Sequence, residues 1–190
     1  MTDRNLLYEG ISKCAWAYFF CYLDINLGNV SILPDFVAFW LFLSAIELLQ
    51  QEERELKLLK PLGRLLLCWH ICDWLLSWIG GTVDGLHLAL DLIICLANLY
   101  FHFQLLTNLA SIAAKHQPKD EEHDGRLLSC RSWQTVLLTV AMLLSDLSPW
   151  FGEGWVYVSL ALVLGYLIAG LCLMGALFSL RKCFLPPETA

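Results

Sequence analysis

Six apolar stretches, separated by five polar or turn-forming breaks, organise the chain. Their lengths and composition predict helices at about 8–27, 33–49, 63–80, 84–113, 132–149 and 154–180. The first gives way to DINLGNVS at 24–31, a stretch rich in turn residues. Pro34 then opens the second helix where a missing N–H costs nothing, and Asp35 suits the positive end of the helix dipole. The third stretch runs to Gly80-Gly81, and the fourth starts within a few residues. The fifth stops at Pro149, and the sixth follows Gly152-Glu153-Gly154. On the sixth, Ala161, Gly165 and Ala169 stand four residues apart and allow a neighbouring helix to approach closely.

The fourth stretch differs from the rest. At about 100° per residue, Asp84, His87, Asp91, Asn98 and His102 fall within an arc of roughly 60° on an otherwise greasy helix. The resulting polar seam is about 27 Å long, close to the thickness of a bilayer's hydrocarbon core. Ionisable groups in a bilayer cost about 2.5–3.5 kcal/mol each on insertion scales, so such a seam faces a bundle interior or a wet cavity. It supports two readings: a proton or cation path in which Asp91 changes charge, or a set of interhelical hydrogen bonds that orient the bundle. On the third helix, His70 and Asp73 share a face and lie on the antiparallel neighbour of the seam. His70, Asp73, His87 and Asp91 could therefore converge, and two imidazoles with two carboxylates suit a divalent metal such as Zn, Mn or Fe. No HExxH or CxxC spacing supports that metal reading, and no other cofactor is expected.

Composition places all this in a membrane. Of 190 residues, 58% are hydrophobic, and the mean hydropathy is +0.60, too apolar for an ordinary soluble domain. The expectation is one all-α integral membrane domain over residues 1–190. A net charge of −6 and the lack of a basic patch exclude nucleic acid as a partner. Cys14, Cys21, Cys68, Cys72, Cys95 and Cys172 lie in apolar runs, while Cys130 and Cys183 sit beside basic residues. Without a CxxC pair they suggest neither a disulfide frame nor a zinc knuckle. The amino-terminal stretch lacks a cleavage-site layout, so it is expected to remain as a helix.

The distribution of cations orients the helices. All twelve Lys and Arg residues fall near the amino terminus, in the second and fourth breaks, or in the tail. The positive-inside rule then puts both termini and the loops at about 50–62 and 114–131 in the cytoplasm, with three helical hairpins pointing outward. The sequence QQEERELKLLK is expected on the inner membrane surface, with Leu56, Leu58 and Leu59 dipping into lipid. KDEEHD at 119–124 reads as a solvated loop. Seven acids, namely Asp24, Asp35, Asp73, Asp84, Asp91, Asp146 and Glu153, lie toward the outer side with no Lys or Arg nearby. His, helix amino termini, protonation or bound cations must balance them. Asp24 and Asp35 read first as turn and cap residues; the alternative is that, with Asp146, they form an outer vestibule that concentrates cations. Asp24 precedes Asp35, and Asp73 precedes Asp84, by eleven residues each, which suggests a hairpin repeat of the kind transporters use.

The stretch DINLGNVSILPDFVAF resembles the ILPDF-type hairpin of small uncharacterised polytopic membrane proteins of Gram-positive bacteria. That resemblance covers a short part of the chain and implies no activity. No GxSxG, Walker loop, kinase set or CxxCH is present, so soluble-style catalysis has no footing. The leading expectation is a multi-pass plasma-membrane protein with an outward-facing acidic and His-bearing pocket. In this reading it moves a small solute or ion coupled to protons or cations. A non-transporting accessory, sensor or scaffold is the alternative, and an intramembrane metal enzyme the third reading. At 21.6 kDa the chain leaves little room for two gates, so a homo-oligomer or a partner membrane subunit is expected beside the lipid.

Overall fold

The computed structural model describes residues 4–22, 26–27, 30–31, 35–78, 88–118, 121–146 and 154–185. Among these residues the chain forms α1 (Arg4–Tyr22), two short strands β1 (Asn26–Leu27) and β2 (Val30–Ser31), and α2 (Asp35–Leu49). A 3-10 turn (Arg54–Leu58) leads into α3 (Leu59–Ser77), followed by α4 (Leu88–His116), α5 (His123–Asp146) and α6 (Trp155–Lys182). The strands are antiparallel, with Asn26 opposite Ser31 and Leu27 opposite Val30. The all-helical expectation holds apart from this two-rung ribbon.

Each helix packs on its neighbours in sequence, and α1 also packs on α6, so the six close into a ring. Short connections make consecutive helices antiparallel. Both ends of the described chain, the α2–α3 connection and the α4–α5 connection therefore share one end of the ring, here the loop end. The ends of α1, α3 and α5 and the starts of α2, α4 and α6 share the opposite, tip end.

The buried core is displaced toward the loop end. In α3 it stops at Leu66; in α4 it begins at Phe101; in α5 it stops at Gln134; in α6 it begins at Gly170. Leu7, Ile11, Leu49, Leu109, Leu177 and Phe184 are representative members. Gly10 permits the α1–α2 contact, because a Cβ there would stand 2.6 Å from Leu49 Cγ. Toward the tip end, Leu75, Trp78, Leu92, Ile93, Leu143, Val156 and Leu160 are exposed. So broad an apolar surface suits hydrocarbon rather than water.

Three helices, over Ala89–His116, His123–Leu144 and Trp155–Lys182, are long and apolar enough to cross a membrane. The expected six spans are met on these grounds by three among the described residues. α2 has 15 residues, about 22 Å against a core of about 30 Å. α1 carries Arg4, Glu9 and Lys13, and α3 carries Lys60, Arg64 and Asp73.

Two expectations at the loop end need correction. Leu56 and Leu59 are fully buried in the protein core, and only Leu58, at 75% exposure, points outward. The charged segment is held down by its acids: Glu53 accepts hydrogen bonds from Ser111 Oγ and Lys115 Nζ, each at 2.9 Å, while Glu52 meets His116 at 2.9 Å. The fifth helix begins at His123, not near residue 132, so the loop at 114–131 is much shorter than expected. The Gln117 side chain starts it, accepting the backbone N–H groups of His123 at 2.8 Å and Asp124 at 3.1 Å. Its own amide donates to Asp124 Oδ1 at 2.8 Å. A side-chain cap thus lets a very polar sequence enter a helix. Arg131, expected in the loop, lies inside α5 and is half-buried.

Candidate functional site

His102 lies midway along α4 and projects into the ring. Helical periodicity places it one step from Phe101, and both meet the aromatic face of α2. The imidazole centroid lies 5.5 Å from Phe42, 5.5 Å from Phe101, 5.4 Å from Tyr18 and 6.1 Å from Phe39. Its Nδ1 stands 3.2 Å from the Tyr18 hydroxyl. Phe39 also stacks on His70, with centroids 4.8 Å apart and planes 15° from parallel. His70 Nδ1 lies 3.7 Å from Asp35 Oδ2. A line of polar groups interrupted by one phenyl ring therefore runs from Asp35 at the start of α2, through His70, to His102 and Tyr18.

Beyond Tyr18 the line opens into a cavity of about 20 Å³ whose walls include Tyr18, Tyr22, His102, Arg131, Gln134 and Tyr166. That is room for a single water molecule. Buried Gln134 donates to the Tyr22 hydroxyl, and the Tyr22 ring lies 4.9 Å from that of Tyr166. Arg131 donates through Nη1 to Thr107 Oγ1 at 2.9 Å, and its guanidinium sits 4.3 Å above the Phe103 ring. The Thr107 hydroxyl in turn donates to the Phe103 carbonyl at 2.7 Å. Arg131 Nε is buried and has no hydrogen-bond partner among the described residues. The chamber therefore joins one neutral-or-charged imidazole, one guanidinium, three phenols and an amide.

The predicted seam is only partly inside this chamber. His102 is at its centre. Asn98, one turn nearer the tip, has a buried Oδ1 without a partner among the described residues. Asp91 falls in the first turn of the described part of α4, half-buried with a shielded Oδ1. Asp84 and His87 lie outside the described residues, as does Asp24. Asp35 pairs with His70, Asp73 is half-buried one turn further along α3, and Asp146 ends α5 with its side chain outside the described part. Of the expected metal set His70, Asp73, His87 and Asp91, His87 lies outside the described residues, and the other three do not form a metal-ligating group by themselves. His70 turns instead toward α2, where its ring stacks on Phe39. The described residues that do bring three metal-ligating groups together are Glu121, His123 and Cys183, at the loop end.

Arg131, Gln134, Tyr18, Tyr22 and Tyr166 were not expected in the site. Arg131 and Gln134 stand three residues apart, and Tyr18 and Tyr22 four apart, so each pair shares a helix face. That spacing was readable, but long amphipathic side chains also fit a lipid interface, and the sequence does not distinguish the two settings. No protein-family model, curated protein or solved structure matches the chain.

Proposed function

We propose that this is a multi-pass membrane protein of six spans, with both termini cytoplasmic, that moves protons or a proton-coupled cation through the centre of its helix ring. His102 is the group that changes charge. The observation carrying this reading is the hydrogen bond of His102 to Tyr18 at 3.2 Å, on a polar line from Asp35–His70 to the inner cavity. A cavity of about 20 Å³ accepts water and excludes a solute, so this conformation favours the proton. Imidazole is the side chain best suited to exchange a proton near neutral pH. Asp73 and Asp91, toward the tip end, would serve as part of an outward mouth that concentrates cations. The charge-changing role passes from Asp91 to His102 because Asp91 sits far from the ring's centre.

The test is proton flux into vesicles reconstituted with purified protein and loaded with a pH-sensitive dye. His102→Gln, which keeps a polar group but cannot titrate, is expected to lower flux at least tenfold. A folded variant with unchanged flux sinks the proposal. The smallness of the cavity also favours a second reading, a non-transporting accessory or scaffold whose polar centre only orients the helices. That reading requires no flux from wild-type protein and a stoichiometric unrelated partner after purification in mild detergent.

A further inference from the structure

Glu121, His123 and Cys183 come from two distant parts of the chain, the α4–α5 connection and the turn that follows α6. Their ligand atoms all lie within 4.8 Å of one another. Glu121 Oε2 contacts His123 Nε2 and lies 3.6 Å from Cys183 Sγ. A tetrahedral zinc ion with bonds of about 2.0–2.3 Å holds its ligand atoms about 3.3–3.8 Å apart, so Glu121 already stands at that spacing from Cys183, while the Glu121 and His123 atoms, in direct contact, would part slightly to admit the ion.

We propose that Glu121, His123 and Cys183 bind a divalent zinc-type cation that ties the α4–α5 connection to the end of α6. Thiolate and imidazole are the donors that zinc prefers, and the carboxylate is an ordinary third ligand. With the thiol deprotonated, the set carries two negative charges, matching the ion. A surface acidic cluster would not be prepared in this way, whereas His123 is. Its side chain is only 7% exposed, although it sits at the start of a polar helix, and its Nε2 points into the cluster. Its backbone is fixed by the Gln117 cap, whose oxygen accepts the His123 N–H at 2.8 Å. The Cys183 backbone N–H donates to the Leu180 carbonyl at 3.1 Å, and the next residue, Phe184, is buried with its ring 5.7 Å from that of His116.

A cleft of about 570 Å³ opens beside the three ligands. It leaves space for water as the fourth ligand, with exposed Glu122 on its wall. Arg126 and Lys182 also line the cleft, and both are exposed, so their charges can extend into solvent away from the ion. This site is separate from the chamber around His102, and its standing does not depend on proton movement.

The experiment uses full-length protein purified in detergent, stripped of metal and titrated with Zn²⁺, and with Co²⁺ as a spectroscopic stand-in. Wild type is expected to take up one Zn²⁺ per chain tightly. With Co²⁺ it should show a thiolate-to-metal charge-transfer band in the near ultraviolet. Cys183→Ser should abolish the band, and both Cys183→Ser and His123→Gln should weaken Zn²⁺ binding by more than the roughly 10–100-fold that loss of an outer-shell partner costs. Cys130→Ser and Cys172→Ser should leave binding intact. Failure of wild type to bind stoichiometrically, or binding that survives Cys183→Ser unchanged, overturns the proposal. If His123→Gln does not fold, Cys183→Ser alone decides, because that thiol is only half-buried.

Discussion

His102 Nδ1 and the Tyr18 hydroxyl, 3.2 Å apart, join α4 to α1, two helices that stand opposite each other in the ring. The bond crosses the middle of the molecule, where a lost partner cannot be replaced from bulk water. Tyr18→Phe keeps the ring and removes only the hydroxyl. It should destabilise the protein by about 1–3 kcal/mol, the range for a buried polar atom left without its partner. Thermal unfolding in detergent would measure this, and the same variant should slow proton flux less than His102→Gln does.

At the loop end the Glu53 carboxyl is held below its ordinary range, chiefly by the hydrogen bond from the Lys115 ammonium and further by Ser111. A depressed carboxyl pKa gives stability that is complete above the unfolded-state value, about 4.3, and lost as pH falls through the folded-state value. Stability should therefore drop on acidification below about pH 4.3. Glu53→Gln should remove that part of the acid limb. At neutral pH the same change should cost about 1 kcal/mol, since Lys115 is open to solvent and screening weakens the pair. Unfolding midpoints measured across pH for both proteins would check the sign.

Gly170 on α6 faces the Tyr22 ring, and a Cβ built there would stand 2.5 Å from Tyr22 Cδ1. Gln134 and Tyr166 hold that ring from other sides, so it has little freedom to yield. Gly170→Ala should cost about 1–3 kcal/mol as an overpacking change and should disturb the chamber as well. Gly175→Ala on the same helix meets nothing within 4 Å and should be neutral or slightly stabilising. Unfolding temperatures of the two variants would separate packing from helix propensity.

Six spans with both termini inside require that the α2–α3 connection and the opposite hairpin tips be reached from different sides of a membrane. In a cysteine-free background, Glu55→Cys should react with an impermeant thiol reagent only after the inner face is opened, and Asn29→Cys should react in intact cells. Labelling of both from the same side would reduce the number of spans.

Hydrophobic run lengths made the helices legible, and the period of 3.6 showed that His102 and Asn98 share a face with Asp91. What that face meets was not legible, because periodicity along one helix carries no information about its partner. Arg131 shows a second limit. The residues before it, from Asp124 to Cys130, look like loop, and the cap that draws them into α5 acts through the side chain of Gln117, just beyond the end of α4. Leu56 and Leu59 show a third. An apolar residue in a charged segment suits either lipid or core, and the choice here was made by Glu52 and Glu53 binding His116 and Lys115, more than 60 residues away. The Glu121, His123 and Cys183 group was hidden for the same reason, since ring closure alone brings Cys183 to the other two.

The off-centre core divides the labour of stability between protein and surroundings. Amide protons of α4 from Leu105 to Ala113 lie within side chains packed on side chains, whereas those near Leu92 to Leu96 border exposed apolar residues. In a bilayer, acyl chains would complete that half of the packing. Lipid chain length should therefore tune hydrogen exchange at the tip half and leave the loop half unchanged, so the bilayer would set how firmly one face of the ring is held while the other keeps its own shape.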